Sequence, residues 1–325
     1  MDLRLALLEL AAQHHLTPEE AARLARIEGE AAEPPDLART VAFGAAILGA
    51  ALGGLGIIFW VAANWDMLSR SERFALLQAV IVVMCAGAFL RPAARVPLSV
   101  LALLTIGGLF AYFGQTYQTG ADPWQLFALW AALSLPLCLG VRHDALWAPW
   151  ALVAMSAISL WIHAHAGHSW EVDASSLAVH LSGWSMALLL PLALSPAFGR
   201  HTGSGLASFR VSLILACVIV TITAAIGLTG KQVAPQYALG LLMLGAAGVL
   251  FSLPRFVDTF ALSTVGLGLN ILLVCGTANW LLRDKVGNDV GEFVLIGLVA
   301  AVMLAATVSL VMMLARAQAN KGAQA

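Results

Sequence analysis

The chain has 325 residues, of which 60% are hydrophobic and only 11% charged. A soluble globular protein carries about 25% charged residues, so no soluble fold buries this much apolar surface. The net charge is -1 and the 17 Lys and Arg are scattered, which excludes a nucleic-acid partner, because binding a phosphate backbone needs them clustered.

The first segment, residues 1–38, predicts a small cytosolic helical hairpin. Leu3, Leu5, Leu7, Leu8 and Ala11 give one apolar face. Thr17-Pro18-Glu19-Glu20 then supplies an N-cap, a first-turn proline and the glutamate of a capping box. Leu16, Ala21, Leu24 and Ile27 stripe a second helix that ends at Gly29, and Pro34-Pro35 forms a stiff joint to the membrane. The stretch has no basic start leading into an apolar core, so it does not read as a signal peptide. It reads as a packing cap, or as an element for self-association or a protein partner.

From Val41 onward, apolar runs of bilayer-spanning length recur with short connections. A hydrocarbon core about 30 Å thick needs roughly 20 such residues as helix, and without water each backbone must satisfy itself as a helix. The expected spans are 41–63, 73–90, 97–117, 123–140, 144–162, 176–195, 209–228, 236–253, 258–282 and 291–315. The fold class is therefore all-α, a polytopic transmembrane bundle of about ten spans over residues 39–316, with a disordered cytosolic tail at 317–325. Lipid is its first partner.

Ala45, Gly49 and Gly53 form a small-residue stripe on span one, which places that helix at the centre of the bundle. Pro136, Pro149 and Pro191 lie inside spans four, five and six, where each removes a helical hydrogen bond. Cys85, Cys138, Cys217 and Cys275 all fall inside apolar runs without paired spacing and read as packing residues. With the N-terminus inside, twelve of the 17 Lys and Arg lie on the cytoplasmic side, and Arg70, Arg73, Lys231, Arg283 and Lys285 on the other. The positive-inside tendency then puts both termini in the cytoplasm.

Polar residues gather on the opposite, outer side. Asn64-Trp65-Asp66 closes span one, and an amide there can bond the open carbonyls of a helix end. Gln115, Tyr117, Asp122 and Trp124 belong to the stretch joining spans three and four. There Gly120 and Pro123 make a tight turn, Asp122 caps the helix starting at Pro123, and Gln115 is expected to turn inward. Asn64, Trp65, Gln115, Tyr117, Asp122 and Trp124 are the candidate binding residues. His163, His165 and His168, followed by Glu171 and Asp173, are candidate Zn²⁺ or Cu²⁺ ligands. On a helix His163 and His165 point about 200° apart, so both can ligate only from an irregular loop. His180 is expected to be hydrogen-bonded inside the bundle. Asn279-Trp280 closes span nine on the same side, and the interiors of the spans offer mainly Gln78, His180 and Asn270.

The hairpin ending in Leu16-Thr17-Pro18-Glu19-Glu20-Ala21, the first span closing in Ala62-Ala63-Asn64-Trp65, and Gly114-Gln115-x-Tyr117 with Asp122-Pro123-x-x-Leu126-Phe127-x-x-Trp130 resemble a bacterial multi-pass membrane family, domain of unknown function 2157. The resemblance spans roughly Leu3 to Trp150. It implies a bacterial inner-membrane location and carries over no catalytic residue.

Nucleotide-binding loops, nucleophile elbows and paired mid-span carboxylates are missing from the sequence, and nothing in it requires a cofactor. The leading expectation is a protein that binds or transports a small neutral or lipid-like solute through a polar site at the outer face. A non-transporting sensor or scaffold signalling through the hairpin is the alternative, and a metal-dependent envelope enzyme is a third.

Overall fold

The apolar runs fold as helices throughout. The structure, a computed structural model, describes residues 17, 20, 37–64, 69–117, 120, 122–230, 232–253, 258–283 and 290–322. Among these residues there are eleven α-helices and no strand. They are α1 (Leu37–Ala63), α2 (Arg70–Leu90), α3 (Arg95–Tyr117), α4 (Pro123–Val141), α5 (Asp144–His165), α6 (Leu177–Ala193), the one-turn α7 (Gly199–Thr202), α8 (Leu206–Ile226), α9 (Pro235–Ser252), α10 (Thr259–Leu282) and α11 (Val290–Gly322). Nine of these, all but α6 and α7, are long and apolar enough to cross a membrane. The shorter α6 is apolar too and coincides with the sixth expected span.

The chain divides into two units, Met1–Gly49 and Ala50–Ala325. In the first, the expected capping box is formed: Thr17 N donates to Glu20 Oε2 at 3.0 Å, and Glu20 N donates to Thr17 Oγ1 at 3.4 Å. The remainder of the expected hairpin lies outside the described residues, and so does residue Trp65. Ala45 and Gly49 are exposed on α1.

Within the second unit, α8 is the central rod. It lies against α5, α6, α9 and α10, and it buries Phe209, Leu213, Cys217, Val220 and Ala224 in one apolar core with Trp184, Leu244, Val265 and Leu272. A second core joins Val100 and Leu103 of α3, Cys138 of α4, and Leu146, Trp147 and Ala151 of α5. Gly107 shows how tightly α3 and α4 meet, because a Cβ there would stand 2.3 Å from the Trp130 ring. That indole donates to Leu103 O at 2.8 Å, so the glycine gap and the hydrogen bond fix one register. All four cysteines are free, with Cys138 and Cys217 buried as packing residues.

Within the second unit, α1 meets α3 through Gly54 and not through Gly53 of the small-residue stripe. Nothing stands within 4 Å of a Cβ built on Gly53, while one built on Gly54 would meet Leu101 at 2.9 Å. Neighbouring residues on a helix point about 100° apart, so α3 approaches on the Gly54 side of the helix. Leu52, Leu55, Phe59 and Trp60 stay exposed, and hydrocarbon replaces a helix as their partner.

The end of the bundle that carries Asp144 is stitched by a carboxylate. Gly205 N, Ala207 N and Ser208 N donate to Asp144 at 2.8, 2.9 and 3.0 Å. An acid at the start of α5 thereby caps α8, satisfying amides that helix geometry leaves open. Trp147 Nε1 adds a bond to Thr202 O at 2.8 Å, and Arg142 donates to Arg200 O.

Candidate functional site

At the opposite end of the bundle, the α3–α4 and α5–α6 connections bring part of the expected polar set together. Gly120 has φ +67, the left-handed conformation the turn requires. Asp122 stands at the N-cap of α4 but makes no side-chain capping bond. Its carboxylate instead accepts from His168 Nε2 at 2.9 Å, and that bond holds the acid below the usual carboxylate range. His168 reaches it from a left-handed position, φ 57, just after Gly167 at φ 80.

His163 and His165 diverge, while the His168 ring meets His163 edge-on with centroids 6.0 Å apart. α5 continues through His165, three residues beyond the expected end of span five, so His163 and His165 project to different sides as helical geometry demands. His163 stacks on Trp170 with centroids 4.4 Å apart, and His165 stacks on Trp161 at the same separation with Trp124 at 5.8 Å. Among the described residues no three His, Cys, Asp or Glu side chains are grouped to hold a metal ion. The cluster is an aromatic and imidazole seam between two connections.

The other expected binding residues stand apart from it. Asn64 Nδ2 donates to Trp60 O at 2.9 Å and so closes its own helix end. Gln115 is exposed on α3 and not turned inward, since the inner face of that turn is taken by buried Tyr112, packed with Leu77. Tyr117 is exposed and stacks with Phe113 at 4.8 Å. Asn279 Nδ2 crosses to Leu228 O at 2.8 Å, tying α10 to the end of α8.

Beside the seam, a hydrogen-bond network that runs from exposed Asp173 to buried Ser176 and Gln236 anchors the start of α6. Asp173 accepts from Ser175 Oγ at 2.7 Å and Ser176 N at 3.0 Å, which lowers its pKa in that order of effect. Fully buried Gln236 donates to Asp173 O from the first turn of α9. His180 is buried and bonded inside the bundle, as expected, with Nδ1 2.9 Å from Ser176 O. Because a carbonyl only accepts, the proton sits on Nδ1.

A concave site lies elsewhere, among α9, α10 and α11. These helices frame a groove of about 520 Å³, within the 300–1,000 Å³ range of small-molecule pockets. Gly245 and Gly248 of α9 open one wall, Met303 and Leu310 of α11 form the other, and Leu269 lies between. Three of its lining side chains carry hydroxyl or amide groups. Ser252 turns its hydroxyl back to Val249 O at 2.7 Å, and Thr307 turns its own to Met303 O at 3.0 Å. Asn270 is 8% exposed, its Oδ1 lies 3.2 Å from the Thr307 hydroxyl, and its Nδ2 has no partner. Sequence reading marks Asn270 as a mid-span polar residue but cannot see the groove, which exists because α9 and α11 both pack on α10 and leave space between them.

The fold and these sites define a polytopic α-helical membrane protein in which polar side chains cap and back-bond their own helices or join neighbouring ones. Residues 8–147 match the family described as predicted membrane protein (DUF2157), in agreement with the resemblance carried by the first half. No curated protein and no solved structure matches the chain. The groove lies beyond the matched segment.

Proposed function

We propose that this protein binds a lipid-like molecule taken up sideways from the bilayer, in the groove among α9, α10 and α11. The observation that carries the reading is the groove itself: apolar walls, a volume of small-molecule size, and one buried amide with spare hydrogen-bonding capacity. At the other end Asp122 is bonded to His168, and His163 and His165 stack on tryptophans. We place the protein in the bacterial inner membrane with both termini cytoplasmic, on the Lys and Arg distribution and the family resemblance. The Asp144 end, with Arg91, Arg95, Arg142, Arg200 and Arg210 near it, is then cytoplasmic, and the His168 end faces out.

A photoactivatable alkyl-diazirine probe in proteoliposomes tests the reading. Saturable labelling of the segments around Gly245–Ser252 and Met303–Leu314, lost in Gly245→Phe, is the expected result. The position has open space for a larger side chain, with nothing within 4 Å of a Cβ, so the phenylalanine fills the groove without a backbone clash. Uniform labelling of all lipid-facing helices, unchanged in the variant, contradicts the reading.

A further inference from the structure

The chemistry of the groove's occupant follows from where Asn270 stands. It is close to the middle of the 24-residue α10, about 17 Å of helix from either end. The bilayer centre supplies no water, so an amide N–H buried there beside a groove and left unbonded needs an acceptor from another source. Among the described residues none is found: Nδ2 has no partner, while Oδ1 shares the single Thr307 hydroxyl proton with Met303 O. Turning the amide over would give one N–H to Thr307 and still leave the second unbonded, since the group carries two donors.

Depth then sorts the lipids. The ester carbonyls of a phospholipid lie at the margins of a hydrocarbon core about 30 Å thick, about 15 Å from its centre. A bilayer phospholipid can thread an acyl chain past Asn270 but presents only methylenes to it. A molecule that satisfies both the apolar walls and the amide carries its carbonyl inside the hydrocarbon. We propose that the ligand is a hydrophobic carbonyl compound of the isoprenoid-quinone kind, with one ring carbonyl accepting from Asn270 Nδ2 and Thr307 holding the amide in place. This rests on the groove reading above and adds the ligand class and the residue that selects it.

Binding of decyl-1,4-benzoquinone and of decylbenzene, its counterpart without carbonyls, is measured by calorimetry on the full chain in nanodiscs. Wild type is expected to bind the quinone about tenfold more tightly than the hydrocarbon, the worth of one net hydrogen bond. Asn270→Leu, which keeps the shape and removes a buried polar group, brings the two ligands to equal affinity, and Thr307→Val weakens the quinone alone. Gly245→Phe abolishes both. If Asn270→Leu binds both ligands as wild type does, the carbonyl proposal is overturned while the groove reading survives. If Gly245→Phe binds both unchanged, or wild type binds neither, the groove reading falls as well. A change in oligomeric state of Asn270→Leu with unchanged quinone binding assigns the amide to a second copy of the chain and overturns the proposal.

Discussion

The α5–α8 seam and the α9–α11 groove each place a polar side chain among apolar helices, and they treat it in opposite ways. Asp144 receives three backbone N–H donors from the start of α8, and its seam is tightly filled. Asn270 keeps an unbonded N–H beside open space. A saturated polar group holds helices together, whereas one left with spare capacity in a low-dielectric setting costs stability unless something arrives to use it. The contrast separates structure from site more sharply than polarity does, because the end of the bundle richest in polar residues is the one whose groups are mostly paired.

Substitutions can break this contrast, and the largest effect belongs to the seam. Asp144→Ala strips the cap from α8 and is expected to cost about 2–3 kcal/mol, with part of the loss recovered by hydration at the bundle end. Thermal unfolding in detergent reads it, and an unchanged midpoint would show that the cap does not hold α8. Gly245→Phe comes next, with ligand binding lost and the midpoint kept or raised. Asn270→Leu should raise stability by about 1 kcal/mol, because the unpaired donor leaves with the amide, while quinone affinity falls. A marked destabilisation there would mean that Asn270 is a structural residue like Asp144.

The smallest effect is expected at the opposite end. Asp122 has a depressed folded-state pKa, so the stabilisation it gains from His168 is present above the ordinary value of 3.8 and is lost as pH falls through the depressed one. Asp122→Asn should therefore lie slightly below wild type in midpoint at neutral pH and coincide with it near pH 2. The His168 side chain is 64% exposed and that of Asp122 36%, which keeps the difference small. A gap that widens in acid would refute the assignment.

Particular residues show what was legible in the sequence. The spans were legible because an uncharged run of about 20 residues has one solution in hydrocarbon. The Thr17–Glu20 box, the Gly120 turn and the internal bonding of His180 were also legible, since each is decided by neighbours in the chain. Gly53 misled, because a small residue permits a close approach without recruiting a helix to make it, and α3 meets Gly54 instead. His163 and His165 stand on a helix, since α5 runs through His165, and not on the irregular loop that joint ligation requires; Gln115, expected inward, is exposed because Tyr112 holds that face. Asp144 and the groove were invisible for a different reason. The partners of Asp144 lie some sixty residues away, and the groove is a space between helices that do not fill it.

The central claim is that Asn270 donates a hydrogen bond to a carbonyl held in the groove, and isotope-edited infrared spectroscopy observes that bond directly. With carbon-13 placed at the ring carbonyls of decyl-1,4-benzoquinone, wild type is predicted to shift one carbonyl stretch to lower frequency than in nanodiscs alone, and Asn270→Leu to leave it in place. Identical spectra for wild type, the variant and empty nanodiscs would contradict the account.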